Sequence, residues 1–195
     1  MGKVFDAIDD KLAAWIGRQR MFFVGTAPSG DEGHVNVSPK GDMSTFALLG
    51  PRRVAYVDYV GSGVETIAHL RENGRVVVML CAFEGPPRIV RLHGAGTVCE
   101  RGEDGFEALL ARFGLPAERR GLVRSVIDVE VARIADSCGF GVPRMAYQGE
   151  RDQLPRWAET QERKHGPDAL RGYAQKVNLR SIDGLPGVRE RAARA

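Results

Sequence analysis

The stretch with the clearest chemical potential runs from Tyr56 to Val76 and reads YVDYVGSGVETIAHLRENGRV. A strand-like run, Tyr56 to Val60, leads into the turn Gly61-Ser62-Gly63. That turn opens a helix, which ends at Asn73-Gly74 before the next strand. Glycines at a helix entry let the backbone approach a ligand closely. The first helical N–H groups lack intrahelical partners and lie at the positive end of the helix dipole. With the hydroxyls of Ser62 and Thr66 beside them, they can cradle a phosphate. The stretch is neither a P-loop nor a GxGxxG fingerprint. It lacks Gly-Lys-Ser/Thr, and Glu65 sets an acid where a nucleotide loop prefers none. The same residues also read as purely structural, with Ser62 capping the helix and the glycines making the turn.

Two further groupings present polar side chains together. In HVNVSPK (34–40) the residues alternate, with Val35, Val37 and Pro39 on one face and His34, Asn36, Ser38 and Lys40 on the other. Such a face either donates hydrogen bonds into a cleft or meets solvent. Arg91 and His93 share one face of a later strand, where an arginine can grip a phosphate or form a surface ion pair. An acid–base machine is not legible. There is no GxSxG elbow and no triad pattern, and His34, His69, His93 and His165 are too scattered for a metal motif. Catalytic residues are therefore unassigned and no metal is expected. This is what is found where a bound cofactor performs the chemistry and the protein orients it.

The elements that must position these residues follow from hydrophobic spacing. Val4, Phe5, Ile8, Leu12, Trp15 and Ile16 predict an amphipathic helix over 4–19. Strands are predicted at 21–27, 34–40, 44–50, 53–60, 75–83, 88–100 and 125–138, with PSGDEG (28–33) as a turn. RVVVMLCAF (75–83) is apolar on both faces and predicts a central strand covered on both sides. Gly94 and Gly96 predict a bend or close approach in the long strand. Phe106, Leu109, Leu110 and Phe113 predict a helix. Strands joined by short turns pair antiparallel, and there is no regular strand–helix alternation. The expected fold is mainly β (α+β): a small antiparallel barrel of six or seven strands with peripheral helices. Beyond residue 148 the composition turns polar, so 1–148 reads as the domain and 149–195 as a helical and irregular extension with few apolar anchors.

Composition narrows the function classes. The 195 residues carry a net charge of +3, with scattered cations, which gives no nucleic-acid footprint. The three cysteines, Cys81, Cys99 and Cys138, have no framework spacing, so a reducing cytoplasm is the default expectation. No apolar run approaches the ~20 residues of a membrane span.

The order of the pieces FFVGTA…GHVNVSPKG, VAYVDYVGSGVETIAHLRENGRVVVML and RIVRLHGAGTV resembles the pyridoxamine 5′-phosphate oxidase-like, FMN-binding split-barrel family, over residues 18–135. The most specific piece is the helix closing on HLRENGRV, where Gly74 replaces the family's proline. The resemblance implies a six-stranded antiparallel split β-barrel, a homodimer with FMN in clefts at the interface, a small-molecule substrate and hydride transfer through flavin N5. It places Asn36, Ser38 and Lys40 along the flavin and its phosphate side. It sets Asp58, Tyr59 and Val60 beside the ring, and Ser62, Gly63 and Thr66 at the ribityl phosphate. Arg91 is a further source of positive charge. Val64-Glu65-Thr66 stands where the namesake oxidases carry a basic Ser-Arg-Lys-like stretch, and Val35 stands where they carry an arginine. Both departures argue against vitamin B6 oxidation. They leave room for the deazaflavin F420 in a reductase, or for a flavin- or haem-binding protein without turnover.

Overall fold

The computed structural model describes residues 2–190. The chain begins with a two-residue strand, β1 (Val4–Phe5), and only then a helix, α1 (Asp10–Gly17). The predicted helix over 4–19 is thus corrected at both ends. Asp9 sets the start, its carboxylate accepting from the Leu12 N–H at 2.7 Å. Val4 and Phe5 instead pair with Ala135 and Ile134. The apolar spacing of α1 still holds, since Leu12, Trp15 and Ile16 are buried.

Strands β2 (Met21–Thr26), β3 (Asn36–Gly41), β4 (Phe46–Gly50) and β5 (Arg53–Tyr59) follow, with a short 3-10 turn at Met43–Thr45. After helix α2 (Glu65–Asn73) come β6 (Arg75–Cys81) and β7 (Ile89–Glu100). The short helices α3 (Phe106–Leu110) and α4 (Ala117–Arg120) precede the 15-residue β8 (Val123–Ser137). All strand pairs are antiparallel, in the order β3-β2-β6-β7-β8-β5-β4, with β1 added on β8. The fold is the expected split antiparallel barrel, with eight strands among the described residues instead of six. The sheet curls until β3, at one edge, meets β5, next to the other edge, through side chains alone.

The inner face holds the main core, including Phe22, Val24, Tyr56, Val78, Leu80, Val90 and Leu92, closed by α1 and by Ile67 and Leu70 of α2. Gly74 ends α2 in the left-handed conformation (φ 71°), its N–H donating to Leu70 O at 3.0 Å. Gly94 sits at a register shift in β7, where a Cβ would collide with the Glu130 carbonyl. That accounts for the glycine as a close approach. β6 is central, and Val76, Val78, Leu80 and the terminal Cys81 are buried. Val77 and Met79, on its other face, are only half-buried, so the expectation of a doubly covered strand is corrected for the single chain.

Residues beyond 148 form α5 (Gln153–His165) and α6 (Ala169–Val177). Ala158, Leu170 and Ala174 build a third core with Val60 and Leu122, and Trp157 stacks edge-on against Tyr173 at 5.0 Å. The extension therefore has more apolar anchoring than its composition predicts, because the chain supplies Val60 and Leu122 to it. Among the described residues, no helix is long and apolar enough to cross a membrane.

Candidate functional site

β3 turns its alternation inward. Asn36, Ser38 and Lys40 are half-buried, whereas Val35 and Val37 are 71% and 64% exposed. The inward row meets α2 and β5 across the split. The Asn36 amide donates to Thr66 Oγ1 at 3.0 Å and to Ser38 Oγ at 3.2 Å. The Lys40 ammonium donates to Asp58 Oδ1 at 3.2 Å. Five predicted residues, Asn36, Ser38, Lys40, Asp58 and Thr66, are thereby brought together.

Asp58 is the electrostatic centre. It is 3% exposed, and its second oxygen accepts from Arg124 at 2.6 Å and from Ser125 at 3.3 Å. Burial pushes its carboxyl up, but Arg124 and Lys40 together outweigh burial and hold it below the usual carboxylate range. Arg124 spends its remaining donors on the Gly63 carbonyl at 2.6 Å and Asn178 Oδ1 at 2.8 Å. The Asn178 amide in turn donates to the Gly61 and Ser62 carbonyls at 3.0 and 3.2 Å. The glycine turn is thus fixed through its carbonyls. Lys40 gives one of its three donors to Asp58, which leaves two for a ligand.

The helix start departs from the structural reading, in which Ser62 is the cap. Ser62 is exposed and does not cap α2. Val64 occupies the cap position, and Glu65 folds back so that its carboxylate accepts from the Val64 N–H at 3.0 Å. An acid side chain thus already serves part of the amide cluster expected to hold a phosphate. Gly63 keeps its place in the turn, and a Cβ there would press on Glu65 Oε2 at 2.9 Å.

Three predicted residues lie elsewhere. Val60 is buried in the core of the C-terminal helices. Tyr59 lies between that core and the one beneath α3, and lines a neighbouring groove. Arg91 alternates with Val90 and Leu92, which fill the inner core, so it lies on the outer face, where it donates to Ser137 Oγ at 3.1 Å. The structure does not bring it to Lys40 and Thr66.

Sequence reasoning missed Arg124, Asn178, Thr26 and His69. Thr26 is the register partner of Asn36, and its hydroxyl meets His69 Nδ1 at 3.0 Å. His69 is fully buried, which pulls its pKa down, and its Nε2 has no partner among the described residues. Tyr56 Oη, also buried, is likewise unpartnered. The donors Asn36, Ser38, Lys40 and Thr66 fit a phosphorylated polyol chain; of the two acids at the site, Asp58 is balanced by Lys40 and Arg124, and Glu65 opposes a phosphate.

Comparison with known proteins places this arrangement. The pyridoxamine 5′-phosphate oxidase family model matches residues 8–138. A curated relative from Aspergillus flavus, described as the pyridoxamine 5′-phosphate oxidase family protein ustO, is 40% identical over 196 residues, covering 94% of this chain and 77% of that protein. Two solved structures share the fold at 9% identity and a TM-score of 0.50. One, from Clostridium acetobutylicum, is described as related to general stress protein 26 of the pyridoxinephosphate oxidase family, and covers 74% of this chain and 94% of its own. The other, from Nostoc punctiforme, is described as a pyridoxamine 5′-phosphate oxidase-related, FMN binding protein, and covers 66% and 82%. With two thirds of its length matched by the family model and a relative at 40% identity across nearly all of it, the chain belongs to the pyridoxamine 5′-phosphate oxidase family.

Proposed function

We propose that the protein binds FMN in the split between β3 and β5 and acts as a flavin-dependent oxidoreductase on a small molecule. The observation that carries this reading is the inward polar row, Asn36, Ser38 and Thr66 hydrogen-bonded to one another with the Lys40–Asp58 pair at its end. Asn36, Ser38 and Thr66 would hold the ribityl phosphate, with Glu65 swinging off the Val64 N–H to admit it. Lys40 would direct its two remaining donors at the flavin. Asp58 orients Lys40, and Arg124 with Asn178 fixes the glycine turn against which the cofactor rests. FMN, when bound, supplies hydride transfer at its N5 position. Family membership and the FMN-binding description of the Nostoc relative support the choice of cofactor.

The reading includes a homodimer. Val35, Val37 and Pro39 of the β3 segment, Phe23 of β2 and Val77 and Met79 of β6 form a contiguous outer face that the chain leaves partly uncovered. A sheet strand apolar on both faces is normally covered on both. A second copy on this face would supply the missing cover to β6.

The test is the cofactor itself. Protein purified without added flavin and then denatured should release one FMN per chain, identified by mass spectrometry, and the native yellow colour should bleach with NAD(P)H. Released F420 would move the protein to a deazaflavin-dependent reductase. A Soret band, or a bound flavin that no reductant or substrate bleaches, would make it a carrier or sensor. A colourless protein with no affinity for any of these would end the reading.

A further inference from the structure

A groove of about 1260 Å³ opens next to the candidate site, its lining reaching Gly41, Asp42 and Tyr59. These residues continue β3 and β5 past Lys40 and Asp58, so the groove begins where the polar row ends. Its walls are the end of α1, the 83–88 loop and the 145–155 segment. The last two are tied together. Met145 N–H donates to Phe83 O at 3.1 Å, and Tyr147 N–H reaches Glu84 Oε1 at 3.4 Å. From the opposite wall the Arg20 guanidinium stacks over the Tyr147 ring at 4.8 Å.

The lining has two characters. Trp15, Phe83, Met145, Tyr147 and Leu154 give apolar and aromatic wall. Five arginines face three acids. All three acids are engaged inside the groove itself, Asp42 by Arg119, Glu150 by the Tyr147 hydroxyl at 2.7 Å and Glu84 by the Tyr147 N–H. Arg88 is paired with Asp136, whereas Arg18, Arg20 and Arg151 have no acidic partner among the described residues. The volume exceeds the ~300–1,000 Å³ typical of a site for one drug-sized ligand. We propose that this groove is the substrate chamber of the flavin site and takes a large amphipathic anion, an acidic group carried on an aromatic or apolar body. The assignment rests on the flavin reading, because a substrate must lie against the flavin ring. Gly41 and Tyr59, the chain neighbours of Lys40 and Asp58, bring the groove's lining next to the end of the polar row. Arg20 and Arg151 would receive the acidic group, and Trp15, Tyr59 and Tyr147 the body.

Binding of 8-anilinonaphthalene-1-sulfonate to the full-length protein tests this. The comparison ligand is N-phenyl-1-naphthylamine, which keeps the rings and lacks the sulfonate. Flavin occupancy is read from the absorbance of the same samples. The sulfonate should bind once per chain and perturb the flavin's visible band. The Arg20→Gln/Arg151→Gln variant, matched to the parent in thermal melting, should weaken it about 10-fold or more while leaving the neutral ligand within about twofold, as loss of charged hydrogen bonds requires. Equal binding of the sulfonate by parent and variant would overturn the proposal, as would a flavin spectrum that saturating sulfonate leaves unmoved. Charge-dependent binding to a protein that takes up no flavin would support the anion groove and overturn the flavin reading, so the two failures are separable.

Discussion

Asp58 carries the site's charge balance. Its carboxylate is buried between Lys40 and Arg124, whose side chain is 9% exposed, and removing one partner of such a cluster leaves buried charge uncompensated. Asp58→Asn should therefore cost about 3 kcal/mol in urea melts. The sign of the pH effect follows from the lowered carboxyl. The stabilisation is fully present above the ordinary carboxylate value of 3.8 and is lost as pH falls through the depressed folded value. The acid limb of the parent's stability profile should flatten in Asp58→Asn, and an unchanged limb would show that the pair does not couple to folding. Lys40 was legible because alternation placed it on the polar side of its strand, and Asp58 through the resemblance to the split-barrel family. Arg124 was not, since it lies 66 residues from Asp58 and follows the turn from α4 into β8 without any local pattern. The fold-back of Glu65 onto the preceding N–H was also hidden, because the sequence gives the charge of a first-turn acid and not its rotamer.

At the scale of elements, α2 is held from both ends by distant chain. Asn73 closes its C-terminal corner, its amide donating to Ala27 O at 2.9 Å and its oxygen accepting from the Arg75 N–H at 2.8 Å. At the other end the segment after α6 grips the turn before the helix. Asn178 is fully buried on the Gly61 and Ser62 carbonyls, Arg71 of α2 binds the Gly187 carbonyl, and Val188 joins the main core. Asn178→Ala removes both carbonyl contacts and one partner of Arg124. It should lower stability by about 2 kcal/mol, with a parallel loss of flavin affinity if the turn rests on the cofactor. Thermal melts and FMN titration of the same variant check this, and unchanged FMN affinity would separate the turn from cofactor binding. The strands were readable because period-two alternation and turn residues mark them directly. The start of α1 was not, because Val4 and Phe5 happen to continue a helical spacing that Asp9 interrupts. The anchoring of α5 and α6 was hidden because Val60 and Leu122 contribute from other elements.

For the molecule as a whole, the proposed dimer would place its second copy on the outer face of β3, β2 and β6. Val37 is exposed on an edge strand away from the core, so Val37→Glu should leave the fold intact and halve the mass seen by sedimentation. A monomeric parent would contradict the dimer reading. The barrel was legible from the succession of strands, whereas its uncovered face was not, because an apolar residue on a strand looks the same whether its cover comes from this chain or from another. The two faces of β3 thus divide the work proposed for it, apolar residues outward for a partner and Asn36, Ser38 and Lys40 inward for a cofactor. The most direct test of that account is the affinity of the parent and of Asn36→Ala/Thr66→Ala for FMN and for riboflavin, which lacks only the phosphate. Loss of the hydrogen-bonded row should weaken FMN by about 1–3 kcal/mol and leave riboflavin nearly unchanged. Equal loss for both ligands, or no flavin binding by the parent, would contradict it.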